Sequence, residues 1–176
     1  VYELYLTELL PVEQTEIRAQ IEFYKAHRRT LQYGRFTRGK TDGGGIIWQA
    51  KTKEETVAGV FHGVQHAAPG YERLRVTGLD EKKQYRLDSR PQLLRVGDFG
   101  SLLRHVLPVK LNGLAVQTAD SYYKMYDGQQ TVTASGAAYS AGIMLAPRFA
   151  GTGYDADGRM QGDFGSNVYF IREVQS

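Results

Sequence analysis

Cysteine is absent from the 176 residues, so no disulfide framework and no thiol chemistry can operate in this chain. No apolar run approaches the ~18 residues that a membrane-spanning helix needs, and no signal-peptide pattern opens the sequence. A cytoplasmic location without a membrane partner is therefore expected. The chain starts at Val1 rather than Met, which suggests a processed end or a cut through a longer polypeptide. Charge of one sign is also scarce. Lys and Arg total 22 against 19 acids, a net charge of +3, and no basic stripe exceeds His27-Arg28-Arg29. Those cations fall where a helix should end and suit the negative end of its dipole, so no nucleic-acid partner is expected. Proline is rare at 5 residues while glycine reaches 20, a balance that points to tight turns rather than disorder.

Hydrophobic residues make up 41% and charged residues 23%, ordinary values for a soluble globular domain with a real core. Val1–Leu6 alternates as a short extended stretch. Pro11 to Leu31 reads as a helix, because Pro11 suits its first position and Glu13 and Glu16 favour the positive end of the dipole. Ile17, Ile21, Tyr24 and Leu31 form one stripe at helical spacing, and Gly34 should stop the helix. Strand patterns follow at Gln32–Thr37, Ile46–Thr52, Thr56–Gln65, Tyr71–Thr77, Gln84–Ser89, Leu93–Val96, Thr131–Ala134, Ala141–Leu145 and Val168–Arg172. Turn signals separate several of them, among them Asp42-Gly43-Gly44-Gly45 and Gly78-Leu79-Asp80. Many short strands at near-regular spacing predict an antiparallel β-sandwich of Greek-key type, mainly β, preceded by one amphipathic helix.

Several motifs invite a chemical reading. Gly34-Arg35-Phe36-Thr37-Arg38-Gly39-Lys40-Thr41 matches the P-loop pattern letter for letter. A P-loop needs a strand before its glycines and a helix after them, whereas here a helix precedes and three glycines follow. Those glycines would cost a helix about 3 kcal/mol relative to Ala, so the segment reads as a strand. Asp155-Ala156-Asp157-Gly158 resembles the opening of a calcium loop, but Met160 and Ser166 stand where the glycine and the bidentate Glu belong. His62 and His66 share a face of a strand at a separation of ~13 Å, too far to share a metal ion. Glycoside cleavage needs two carboxyls about 5–5.5 Å or ~6.5–9.5 Å apart. Asp98, Asp120, Asp155, Asp157 and Asp163 all sit beside Gly or in polar loops, where turn formation explains them. Trp48, Tyr122, Tyr123, Tyr126 and Tyr154 have the shape to stack on sugars, though aromatics in a sandwich generally serve the core or an interface.

One resemblance draws the blocks together. Tyr2-Glu3-Leu4, Ile21 to Arg28, Gln32-Tyr33-Gly34-x-Phe36-x-Arg38, Leu74-Arg75-Val76-Thr77-Gly78-Leu79-Asp80 with Tyr85-Arg86, Gly136 to Leu145 and Gly151 to Tyr169 are similar to the C-terminal part of family 36 α-galactosidases. Where that family has Gly-Tyr-Glu-Leu-Asp-Leu, this chain departs with Val1 and Tyr5.

The resemblance implies a division into 1–31, the last helix of a catalytic (β/α)₈ barrel, and 32–176, a C-terminal antiparallel β-sandwich. The parent enzymes are retaining hydrolases of melibiose, raffinose and stachyose, many of them tetramers. Their two catalytic aspartates lie on barrel strands upstream of these residues. By that resemblance the chain holds no catalytic, substrate-binding or metal-ligating residue, needs no cofactor, and has the barrel of the same enzyme as its main partner. The chain alone is expected to be inactive. A sugar-binding β-sandwich module is the alternative kept open, with the P-loop reading far behind it.

Overall fold

The computed structural model describes residues 5, 7, 9, 11–64, 72–90, 130–145 and 165–174. Helix α1 runs Pro11–Tyr33 and gives way at once to strand β1, Arg35–Lys40. Strands β2 (Ile46–Lys51), β3 (Glu55–Phe61), β4 (Arg73–Leu74), β5 (Gln84–Ser89) and β6 (Thr131–Ser135) follow. A short helix α2, Gly136–Ala141, then leads to β7 (Ile143–Met144) and β8 (Ser166–Glu173). Six strands form one antiparallel sheet in the order β1-β2-β3-β8-β5-β6, and β4 pairs with β7 in a second, two-stranded sheet. The mainly antiparallel β fold led by a helix is as expected. Strand β8 sits between β3 and β5, the non-sequential neighbour relation on which Greek-key connections rest.

Local chemistry sets the turns. Between β1 and β2 the Thr41 N–H donates to the Gly45 carbonyl at 2.9 Å and the Gly45 N–H donates to Thr41 Oγ1 at 2.8 Å. Gly44 occupies φ +87°, which a residue with a Cβ would resist. Helix α1 ends where the Gly34 N–H donates to the Thr30 carbonyl at 2.9 Å. A Cβ at Gly34 would overlap that oxygen, so helix and strand join through a single residue that must be glycine.

The core lies between the two sheets. Alternation places Ile47 on β2, Ala58 and Val60 on β3, Tyr169 and Ile171 on β8, and Tyr85 and Leu87 on β5 on one inner face. Leu74, Val76, Tyr139 and Leu145 cover that face from the second layer, and all of these residues are buried. Tyr139 donates from its hydroxyl to the Val132 carbonyl at 3.0 Å, and burial pushes its pKa up to about 12. Gln49 ties the layers as well: its amide donates to the Arg75 carbonyl at 2.6 Å and accepts from the Thr77 N–H at 3.2 Å.

Several elements depart from the pattern read in the sequence. Gln32 and Tyr33 are helical, so β1 starts at Arg35, and the His27-Arg28-Arg29 cluster lies inside α1 rather than in its last turn. Of the expected strand Tyr71–Thr77, the described residues 72–77 hold strand at Arg73–Leu74 alone, and β3 stops at Phe61. The expected strand Ala141–Leu145 shrinks to Ile143–Met144, because Ser135 caps a helix there by accepting the Ala138 N–H. Leu93–Val96 and nearly all of Val1–Leu6 lie outside the described residues.

Helix α1 meets the sheet through Phe23, His27 and Thr30, on a face beside the Ile17/Ile21/Tyr24 stripe, of which Ile17 is half-buried. His27 and Thr30 are 5% and 2% exposed, whereas Ile21 and Tyr24 remain 47% and 43% exposed. The face that packs is chosen by what the sheet offers, and the sheet offers a carboxylate.

Candidate functional site

That carboxylate is Glu55, the first residue of β3, on the outer face of the large sheet. It accepts from Thr30 Oγ1 at 2.8 Å, lies 3.0 Å from His27 Nδ1 and receives two bonds from the Arg172 guanidinium at 3.2 Å. Phe23 and Phe170 enclose His27, with ring centroids 4.3 and 5.3 Å away. Arg90 of the chain just past β5 pairs with Glu16 and sits 5.9 Å from the Phe23 ring centroid. Helix α1 is thus fastened across β3, β8 and the end of β5 by charge-assisted bonds framed by aromatic rings. Burial alone would raise the Glu55 carboxyl. The hydrogen bonds from His27 and Thr30, the charge of His27 and the bond from Arg172 outweigh it and hold the group below the usual carboxylate range.

The fold draws three other carboxylates out of solvent, and each has donors of its own. Glu16 holds Arg90, Asp88 takes Arg86 and Thr131, and Glu72 accepts from the Gly43 N–H with His62 3.7 Å away. A glycosidic general acid must keep its proton near neutral pH, so its pKa must be raised. Glu55 moves the other way. Among the described residues no group of three His, Asp or Glu is placed to hold a metal ion. Asp98, Asp120, Asp155, Asp157 and Asp163 lie outside the described residues, as do His66, Tyr122, Tyr123, Tyr126 and Tyr154. The P-loop letters from Gly34 to Thr41 form an edge strand and its turn, so no helix N-terminus faces a phosphate there.

Two surfaces remain. A cleft of about 760 Å³ opens at the β1 edge beside the inner face, lined by Arg35, Lys51, Asp80 and Tyr85 among others. Burial, helped by the charge of Arg35, lowers the Lys51 ammonium. On the outer face, beyond α1, the rings of Phe36, Trp48 and Phe61 form a row. Phe36 and Trp48 are 6.4 Å apart and tilted by 18°, and Trp48 and Phe61 are 6.5 Å apart and tilted by 33°. Gly59 is the cross-strand partner of Trp48. A Cβ there would overlap atoms of both indole rings, so the indole lies flat on bare backbone. Sequence reading singled out Trp48 but not Phe36 or Phe61. The signal was available: the glycine turn fixes the β1–β2 register, which sets Arg38 opposite Trp48 and Phe36 one diagonal step away.

Comparison with known proteins places this geometry. Residues 46–171 match the model of the glycosyl hydrolase family 36 C-terminal domain. The α-galactosidase AgaA of Geobacillus stearothermophilus is 30% identical over 91 residues, 49% of this chain and 12% of that protein. The crystal structure of the α-galactosidase from Lactobacillus brevis superposes with a TM-score of 0.62 at 19% identity, over 99% of this chain and 18% of that one. A variant of AgaA in complex with raffinose gives 0.56 at 19% identity, over 96% of this chain and 17% of that one. The chain thus spans less than a fifth of the length of these relatives. Fold and family model agree, and the chain belongs to glycosyl hydrolase family 36 as a carrier of its C-terminal domain.

Proposed function

We propose that this chain is the non-catalytic C-terminal part of an α-galactosidase whose whole polypeptide hydrolyses terminal α-galactosides with retention. Residues 1–31 are the last helix of the catalytic barrel and 32–176 the β-sandwich. The sandwich holds that helix in place, and through it the barrel wall. The catalytic aspartates belong to the barrel, and the whole enzyme is a cytoplasmic homo-oligomer acting on raffinose-type sugars.

The observation that carries this reading is the Glu55 junction. A helix fixed through His27 and Thr30 to Glu55 on one face keeps Ile21 and Tyr24 exposed on another, as a helix shared between two domains requires. The test compares the 176-residue chain with the longer polypeptide that carries it, on an aryl α-galactoside. Turnover is expected from the longer polypeptide alone. Activity of the purified 176-residue chain, removed by replacing one of its own Asp residues, would overturn the proposal.

A further inference from the structure

The row formed by Phe36, Trp48 and Phe61 does not resemble the packing of this protein's own interior. In the core, Tyr85 and Tyr139 meet edge to face at 85°, the arrangement aromatic pairs adopt when they interlock. On the outer face Phe36 lies within 18° of parallel to Trp48 and Phe61 is tilted 33° from it, and the two end rings stay open on either side of a half-buried Trp48: Phe36 is 60% and Phe61 42% exposed, with Ile46 beside them at 45%. Trp48 lies on the bare backbone of Gly59 between them. Register places Arg38 opposite Trp48 and Lys40 opposite Ile46 on the same face. Both are exposed, and neither has a carboxylate partner among the described residues.

An apolar strip flanked by two exposed cationic donors matches the chemistry of a sugar. Pyranose rings present C–H bonds on their faces and hydroxyls around their rims. In a galactopyranose the axial 4-hydroxyl leaves the C3, C4 and C5 hydrogens together on one face. Such hydrogens are attracted to the negative face of an aromatic ring. A protein surface closing over the same strip would have to bury Arg38 and Lys40, a costly step without matching acids. A neutral saccharide leaves both cations solvated and accepts their N–H bonds at its rim.

We propose that Phe36, Trp48 and Phe61 form a saccharide platform, on which a short neutral oligosaccharide lies across the three rings with its hydroxyls bonded to Arg38 and Lys40. The galactosyl character of the ligand rests on the proposed function; the platform itself does not.

Trp48 is the single tryptophan of the 176 residues, so its fluorescence reports on this site alone. The chain is titrated with raffinose and with stachyose, following Trp48 emission and saturation transfer from the protein to the sugar C–H protons. A saturable emission change is expected, weakened about three- to tenfold by Phe36→Ala or Phe61→Ala at unchanged circular dichroism. Saturation transfer should vanish in Trp48→Ala. No saturable change, or transfer indifferent to all three substitutions, would overturn the platform. Hydroxyl-radical footprinting of the longer polypeptide without sugar supplies a second reading. Reactive Phe36 and Trp48 support an open platform, whereas full protection means that polypeptide covers the strip and removes the proposal. Galactosidase turnover is read separately, so loss of the proposed function and loss of the platform give different results.

Discussion

The two faces of the six-stranded sheet are built on opposite rules. The inner face is mostly apolar: Ala58, Val60 and Leu87 are fully buried there, and Tyr139 closes over them with its hydroxyl satisfied. The outer face carries a helix fixed by Glu55, His27, Thr30 and Arg172, and beyond it a bare aromatic strip. Apolar burial supplies most of the folding free energy but is indifferent to direction. Charge-assisted bonds supply less, and they specify position. The inner face therefore determines whether the sheet folds, and the outer face determines where the helix sits on it. Strand β3 shows both rules in one element, since Thr56–Val60 is buried on both sides while Glu55 and Phe61 at its ends are not.

Substitutions should separate the two faces, and the largest effect is expected inside. Leu87→Ala removes a fully buried side chain and should cost about 2–5 kcal/mol, read as a lower denaturation midpoint with loss of protection throughout the sheet. Gly34→Ala sets a methyl against the Thr30 carbonyl and the Lys51 backbone, neither of which can swing away. It should cost about 3 kcal/mol and free α1 before the sheet, as hydrogen exchange resolved by segment would show.

Glu55→Gln should cost about 1.5–3 kcal/mol, because a hydrogen-bonded carboxylate becomes a neutral amide facing Arg172 and His27. Faster exchange confined to α1 would locate the loss on the outer face. Equal exchange in β5 and β8 would break the proposed division between the two faces.

The same group gives a pH dependence. The folded Glu55 pKa is lowered from 4.5, so its contribution is complete above that value and disappears as pH falls through the folded pKa. Stability measured from neutral pH down into the acid range should fall more steeply in the wild type than in Glu55→Gln. The smallest effect belongs to Gly59→Ala, which asks only that the Trp48 indole rise from its seat. A cost of about 1 kcal/mol and a red-shifted Trp48 emission are expected.

How far the sequence discloses each face follows from the same contrast. Alternation exposes Tyr85 and Leu87 to inspection, and β5 is found at Gln84–Ser89 in both readings. The glycine turn likewise gives the β1–β2 hairpin. Periodicity fails on the outer face, because it ranks Ile21 and Tyr24 above His27 and Thr30. The partner that reverses this order, Glu55, lies 25 residues beyond Thr30 and carries no local signal. Helix α2 escaped for a different reason. Its six residues are small apart from Tyr139, and its Ser135 cap is equally at home at the end of a strand. The aromatic strip needed three strands in register, whereas the sequence offers a lone Trp and two separate Phe residues.

The joint at Gly34 carries a mechanical consequence. With Gly34 alone between α1 and β1, and its Cα packed against the Thr30 and Lys51 backbones, a turn of the helix about its axis is passed largely to the edge strand, as a crank turns a shaft. Phe36 is the second residue of that strand, so the tilt of the first ring in the row is geared to the seating of the helix on Glu55.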